Sequence, residues 1–250
     1  MKKYEVILQD LEKKIFNDIY KTNDILPSEN ELSANYESSR STVRQALKIL
    51  EEKGLIQRRH GYGSIVLAHD RLLFPISGLT SYKELQTSMG FHSETEVIRF
   101  ERLEINPKLS ETTGFAVGEH AISILRRRKV DGKFSILDWD LFLEKYSEGL
   151  TPEHAKISTY DYLEDTLGLD IAYAQKEVTI DFACEDDFKY LDLNPKDHHV
   201  VSVKSHVYLA DNTLFQYTES RHQVDRFRFT EFARRQKKIK KALPIRRVFT

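Results

Sequence analysis

The chain has 250 residues, of which 40% are hydrophobic, 31% charged and 11% aromatic, with 10 Gly and 6 Pro; this profile excludes disordered, collagen-like and fibrous chains and leaves room for one large or two modest cores. The single cysteine excludes an internal disulfide framework and a multi-thiolate zinc site, and no run of 18 apolar residues offers a membrane span, so a cytoplasmic protein is expected. The net charge of -1 conceals an uneven spread, with 11 Lys/Arg against 10 Asp/Glu over 1–69, 17 against 28 over 70–225, and 10 against 1 over 226–250.

Between Tyr4 and Tyr20, Leu8, Leu11, Ile15 and Ile19 recur at three- and four-residue spacing, which predicts an amphipathic first helix. Ser28 with Glu31 three residues on is a capping box that opens a short second helix to about Tyr36. Ser39 caps a third helix from Arg40 to about Lys53, stopped by Gly54. On that helix Val43, Ala46, Leu47 and Leu50 share one face, and Arg40, Ser41, Arg44 and Lys48 another. Residues 55–59 and 64–67 read as two strands joined by His60-Gly61-Tyr62-Gly63, a tight turn that its glycines permit. Three helices and a two-stranded wing make a winged helix-turn-helix, a motif that enters the major groove by the N-terminal end of its last helix.

The stretch 38–64 holds Arg40, Arg44, Lys48, Lys53, Arg58 and Arg59 against Glu51 and Glu52, a concentration of positive charge suited to phosphates. Arg40 and Arg44 are the expected base readers, since a guanidinium can donate two hydrogen bonds to guanine. Ser28, Ser39, Ser41, Thr42, Lys48, Arg58 and the wing residues His60, Gly61, Tyr62 and Gly63 are expected on the DNA backbone or in the minor groove. Each alone reads equally well as a cap, a turn or a solvated charge; order and spacing together point to double-stranded DNA. Pro27-Ser28-Glu29, the run from Ser39 to Leu47, Gly54-Leu55-Ile56 and Gly61-Tyr62-Gly63-Ser64 resemble the head of the GntR family. That resemblance implies a bacterial transcription factor touching its operator through the third helix and the wing.

Beyond a linker at 70–76 the pattern changes to strand-like runs at 95–105, 120–130, 133–143, 171–182, 199–210 and 213–223. Asp131-Gly132 and Asp211-Asn212 mark hairpins, hence an antiparallel sheet. Helices are expected at 80–89, from Thr151, at 158–168 and at 185–191. The class is α+β, with no repeat and no low-complexity segment. Strand alternation puts Arg126 and Arg128 on one face and Arg127 on the other, so two guanidiniums converge as a clamp for phosphate or carboxylate, or as a strand face paired with acidic neighbours. The loop 74–85, with a glycine and hydroxyls before a helix, can offer backbone amides to an anion.

This second part is similar to the ligand-sensing (UTRA-type) domain of the HutC subfamily of GntR regulators, whose chorismate-lyase-like fold binds small, often phosphorylated, metabolites. Residues 74–79, 172–177, 214–222, 227–229 and 232–235 are similar to trehalose operon repressors, which implies trehalose 6-phosphate as effector, repression relieved by it, and a homodimer on a palindromic operator. A relative sensing another phosphorylated sugar, such as N-acetylglucosamine 6-phosphate, is the alternative. The resemblance implies that Ser81, Tyr82, Arg126 and Arg128 hold the phosphate and that Asp138, Ser158, Tyr160, Gln216 and His222 meet sugar hydroxyls. An ideal two-residue turn at Asp131-Gly132 would put Asp138 on the face opposite the arginines, so its role needs a bulge or a longer loop. The implied domains are 1–69, the linker 70–76, 77–235 and a basic tail 236–250.

An enzyme is the rival class, because Asp138 and Asp140 share a strand face and could perform acid–base work or bind a metal. No nucleophile–base motif or P-loop accompanies them, and His198-His199 lacks ligand spacing, so no catalytic residue, no metal and no cofactor beyond the effector are expected. Cys184 is expected as a small buried residue.

Overall fold

The computed structural model describes residues 2–59, 61–67, 78–89 and 92–229. His60, the linker 70–76 and the tail 236–250 lie outside the described residues. Two compact units divide the described chain, 2–67 and 78–229.

The first unit comprises α1 (Lys3–Phe16), α2 (Glu29–Asn35), α3 (Arg40–Glu52), β1 (Ile56–Arg59) and β2 (Gly63–Val66). Ile7, Leu11 and Ile15 of α1 pack against Leu32 of α2 and Val43, Ala46, Leu47 and Leu50 of α3, all essentially inaccessible. Each buried Val, Leu or Ile here contributes about 1.5–3 kcal/mol, enough for this small core to hold three short helices. The first helix is shorter than its apolar stripe predicts. It ends at Phe16, Asp18 adopts φ 55°, and Ile19 is swung out to 64% exposure, while Ile7 fills the stripe at the other end. The turn before α2 also pairs with the wing, Leu26 donating its amide to the Ser64 carbonyl and Val66 to that of Asp24, each at 2.8 Å.

The second unit is a six-stranded antiparallel sheet, so the α+β class expected from the sequence is the one observed. Its elements are α4 (Tyr82–Met89), β3 (Ser93–Glu104), α5 (Pro107–Thr113), β4 (His120–Val130), β5 (Lys133–Leu143), α6 (Pro152–Ile157), α7 (Thr159–Asp161) with a π-helical continuation (Tyr162–Thr166), β6 (Ile171–Phe182), α8 (Glu185–Tyr190), β7 (His199–Leu209) and β8 (Leu214–Gln223). The strand order is β3-β4-β5-β8-β7-β6. On one face Ile122, Ile124 and Phe142 meet Ala155 of α6 and Leu163; on the other Leu141, Leu143 and Tyr217 pack with Ile105 and Phe115, and Leu125 and Leu137 with Leu191.

The β4–β5 hairpin sets the geometry of everything that follows. Asp131 (φ 49°) and Gly132 (φ 78°) form the tight turn, whose twist suits antiparallel strands. Val130 pairs with Lys133 and Lys129 with Phe134, but Arg128 then pairs with Ile136, which leaves Ser135 as the extra residue of a bulge. Every later residue of β5 is shifted by one position, and Asp138 stands directly across from Arg126 on the face an unbroken ladder would have denied it.

Three expectations are corrected. α5 is absent from the sequence reading: its residues lack an apolar stripe, and what starts it is the Asn106 side chain accepting from the Leu109 amide (2.9 Å) with Pro107 in the first turn. The helix expected over 158–168 is regular only to Asp161 and then widens. Cys184 is exposed, because it stands at the start of α8, where its amide donates to Asp187 (2.8 Å).

Candidate functional site

In the first unit Ser28 caps α2 by accepting from the Glu31 amide, and Glu31 accepts from the Ser28 amide in return (3.3 and 2.8 Å). Ser39 caps α3 through the Thr42 amide, and its hydroxyl lies 2.8 Å from those of Ser41 and Thr42. Arg40, Ser41, Arg44 and Lys48 are exposed along α3, and Lys48 pairs with Glu52 at 3.5 Å. Arg44 donates to Glu29 Oε2 from Nη2 (2.8 Å) and lies 3.3 Å from both carboxylate oxygens through Nε, and Arg58 of β1 pairs with Oε1 of the same carboxylate. One acidic residue thus gathers a helix arginine and a wing arginine, and hydrogen bonding from Arg44 holds Glu29 below the usual carboxylate range. The wing turn exposes Gly61 (φ 74°) and Tyr62, while at Gly63 (φ 114°) a Cβ would press on Ile25 at 3.0 Å.

In the second unit Ser81, Tyr82, Arg126, Arg128, Asp138, Ser158, Tyr160, Gln216 and His222 all line one cleft with about 1120 Å³ of empty space, part of it open to solvent. Arg126 donates from Nη2 to Asp140 (2.6 Å) and from Nη1 to the Ala155 carbonyl (3.0 Å), while its buried Nε has no partner among the described residues. Arg128 pairs through Nε with Asp138, donates from Nη1 to Thr95 (2.9 Å), and lies 3.7 Å over the Tyr82 ring. Ser220 donates to Asp138 (2.5 Å) and stands 3.0 Å from His222 Nε2. Gln216 links the other end, donating to Asp140 (3.0 Å) and accepting from Tyr160 (2.9 Å). Ser81 and Ser158 use their hydroxyls to cap α4 and α7, accepting from Glu84 and Asp161 (both 3.2 Å).

Most of the charge in this cleft is paired. Burial works against ionising Asp138, but the Arg128 and Arg126 charges outweigh it and hold its carboxyl below the ordinary range. Burial pushes the His222 imidazole down to about 4, so it is neutral at pH 7, and raises the Tyr160 phenol. Among the lining residues four cations, Lys83, Arg126, Arg128 and Lys176, face two carboxylates, Asp138 and Asp140; Lys83 finds a third carboxylate in Asp161. The cleft therefore suits an anion carrying hydrogen-bonding groups.

Residues 3–66 match the gntR family of bacterial regulatory proteins and residues 88–228 match the UTRA domain. The chain belongs to the GntR family. This GntR-family protein is 43% identical over 235 residues to the HTH-type transcriptional regulator TreR of Bacillus subtilis, covering 94% of this chain and 98% of that one. It is 26% identical over 229 residues to the repressor NagR of the same organism, covering 92% and 93%. Among solved structures, the effector binding domain of the B. subtilis trehalose repressor (TreR) covers 58% of this chain and 99% of its own, with 40% identity and a TM-score of 0.53. The possible regulator YydK of B. subtilis covers 94% and 100% at a TM-score of 0.75 and 23% identity, and shows the shared fold. The protein is a DNA-binding transcriptional regulator of the TreR type.

The regulator's cleft also holds groups that sequence reasoning did not assign to it: Thr80, Lys83, Asp140, Lys176, Ser205, Thr218 and Ser220. Asp140 was legible as a strand-mate of Asp138 but was read as an acid–base candidate; the structure occupies it with Arg126. Lys176, Ser205, Thr218 and Ser220 enter through strand neighbours that the chain order does not reveal, although alternation with Gln216 and His222 puts Thr218 and Ser220 on their face. In the head, Glu29 carries no local signal of its role, since its partners stand 15 and 29 residues away.

Proposed function

We propose that this regulator is a homodimeric cytoplasmic repressor of trehalose uptake or utilisation genes, released from a palindromic operator by trehalose 6-phosphate. The observation that carries the reading is that the Arg126 and Arg128 guanidiniums stand together in one cleft among hydroxyl- and amide-bearing side chains. A phosphate dianion that takes over the Arg126 and Arg128 guanidiniums releases Asp138 and Asp140 to accept from sugar hydroxyls, which lose water on binding and must regain hydrogen bonds. The name of the relative at 43% identity supports trehalose as the sugar. Two winged heads set by a two-fold axis meet two half-sites, and effector binding shifts the protein to an arrangement that no longer matches their spacing.

The same geometry does not favour a Ser-His-Asp nucleophile. In a Ser-His-Asp triad the serine donates to a histidine that a carboxylate orients; here Ser220 donates to Asp138, and Asp138 is the counter-ion of Arg128. The reading is tested by the pair Arg44→Ala and Arg128→Met. Arg44→Ala is expected to lose operator affinity and keep trehalose 6-phosphate binding, and Arg128→Met the reverse. Loss of both activities in both variants would refute the division of labour.

A further inference from the structure

The register of the sheet sets residues in straight rows across the floor of the cleft. One row runs Arg126, Asp138, Ser220, Val203 from β4 through β5 and β8 to β7. The next runs Asp140, Thr218, Ser205, Lys176 from β5 through β8 and β7 to β6. The two rows differ in what their polar groups are already doing. Asp138 and Ser220 are bonded to Arg128 and to each other, and Asp140 to Arg126 and Gln216. Among the described residues, by contrast, the hydroxyls of Thr218 and Ser205 make no hydrogen bond, although Ser205 is only 4% exposed. Lys176 donates to the Gly78 carbonyl at 2.7 Å and has no carboxylate partner among the described residues, which leaves two of its three donors unused.

Hydroxyls and an ammonium that line a cleft with bonding capacity to spare can meet the hydroxyls of a ligand directly. Three inter-strand steps of about 4.8 Å separate the β5 and β6 backbones, roughly 14 Å, so this row starts beside the arginine pair at Asp140 and carries Thr218, Ser205 and finally Lys176 progressively away from it. Val203 and Val207 flank Ser205 on the same floor and offer apolar surface for the carbon face of a pyranose. We propose that Thr218, Ser205 and Lys176 form a second sugar subsite, which reads the sugar distal to the phosphate and makes the cleft select a disaccharide phosphate over a monosaccharide phosphate. This inference rests on the phosphorylated-sugar reading and adds the residues that set the size of the sugar.

The test is calorimetric titration of the full chain and of Lys176→Met, Ser205→Ala and Thr218→Val, each with trehalose 6-phosphate and with glucose 6-phosphate. Wild type is expected to prefer the disaccharide. Lys176→Met should weaken trehalose 6-phosphate about 10-fold or more, as loss of a charged hydrogen bond does, while glucose 6-phosphate stays within about 2-fold. Ser205→Ala and the isosteric Thr218→Val, which barely perturb packing, should each weaken the disaccharide alone by about 3- to 10-fold. Equal weakening of both ligands would assign Lys176 to the phosphate, and no weakening in any variant would leave the row without a ligand. Either result overturns the subsite and leaves the phosphorylated-sugar reading standing. Wild type that binds both ligands equally would also overturn it; wild type that binds neither would remove that reading and the subsite together.

Discussion

Replacing Arg126 by Ala separates what the buried ion pairs do for the fold from what they do for the ligand. Arg126 is 6% exposed and Asp140 2%, and they meet at 2.6 Å. Removing the guanidinium leaves Asp140 with one donor, Gln216 Nε2, and leaves the Ala155 carbonyl without the donor it had. Breaking a buried pair in this way costs about 3–5 kcal/mol, a large part of the 5–15 kcal/mol that holds a typical domain. With a urea dependence of about 2 kcal/mol per molar, the unfolding midpoint should fall by about 1.5–2.5 M. Trp139, the one tryptophan of the chain, sits in β5 against Tyr217 with ring centroids 5.9 Å apart, so its fluorescence reports the second unit by itself. The double variant Arg126→Met/Asp140→Leu replaces the pair by apolar groups of similar size and should recover at least half of the loss, because no uncompensated charge remains. It should also keep operator binding and lose the response to trehalose 6-phosphate. A single variant that costs less than about 1 kcal/mol, or a double variant as unstable as the single one, would refute the reasoning.

Three further outcomes are expected. Glu29→Gln removes the carboxylate that gathers Arg44 and Arg58, and with it one negative charge beside the two arginines proposed to meet DNA; affinity for unrelated duplex should rise while the ratio of operator to unrelated DNA falls, as read by competition at fixed salt. Deleting Ser135 removes the bulge and turns Asp138 away from Arg128, which should lower the urea midpoint read by Trp139 and abolish effector binding. His222, neutral and held to about 4, takes up its proton more readily in the unfolded chain, so stability is full above about pH 6.5 and is lost as pH falls from there towards 4, by about 3 kcal/mol in all. Urea midpoints between pH 7 and 4.5 should therefore slope more steeply in wild type than in His222→Asn; parallel slopes would contradict the assignment.

The head was legible because its signals are local. Ser28 with Glu31, Ser39 with Thr42, and the stripe of Val43, Ala46, Leu47 and Leu50 act within one or two turns of helix, and the structure draws each as expected. Ile19 was misjudged for the same reason: periodicity continues past the point where Asp18 takes a positive φ and ends the helix. In the second unit the strands were legible from alternation, which keeps Arg126 with Arg128 and Gln216 with His222 on one face; Ser81, Tyr82, Ser158 and Tyr160 reach the same cleft from the starts of α4 and α7. What was not legible depends on pairing. The single extra residue at Ser135 decides whether Asp138 meets the arginines, and the order β5-β8-β7-β6 decides that Thr218, Ser205 and Lys176 form a row. Neither is written in any contiguous stretch of sequence.

The central claim is most directly tested by a fluorescence-anisotropy titration of the full chain on a palindromic operator from its own promoter region, at fixed salt, with and without trehalose 6-phosphate. Operator binding that the sugar phosphate weakens at least about 10-fold, the coupling of about 1.4 kcal/mol or more that allosteric regulators commonly show, is the expected result. Operator binding that trehalose 6-phosphate leaves unchanged, at concentrations that saturate the cleft in a parallel binding assay, would contradict it.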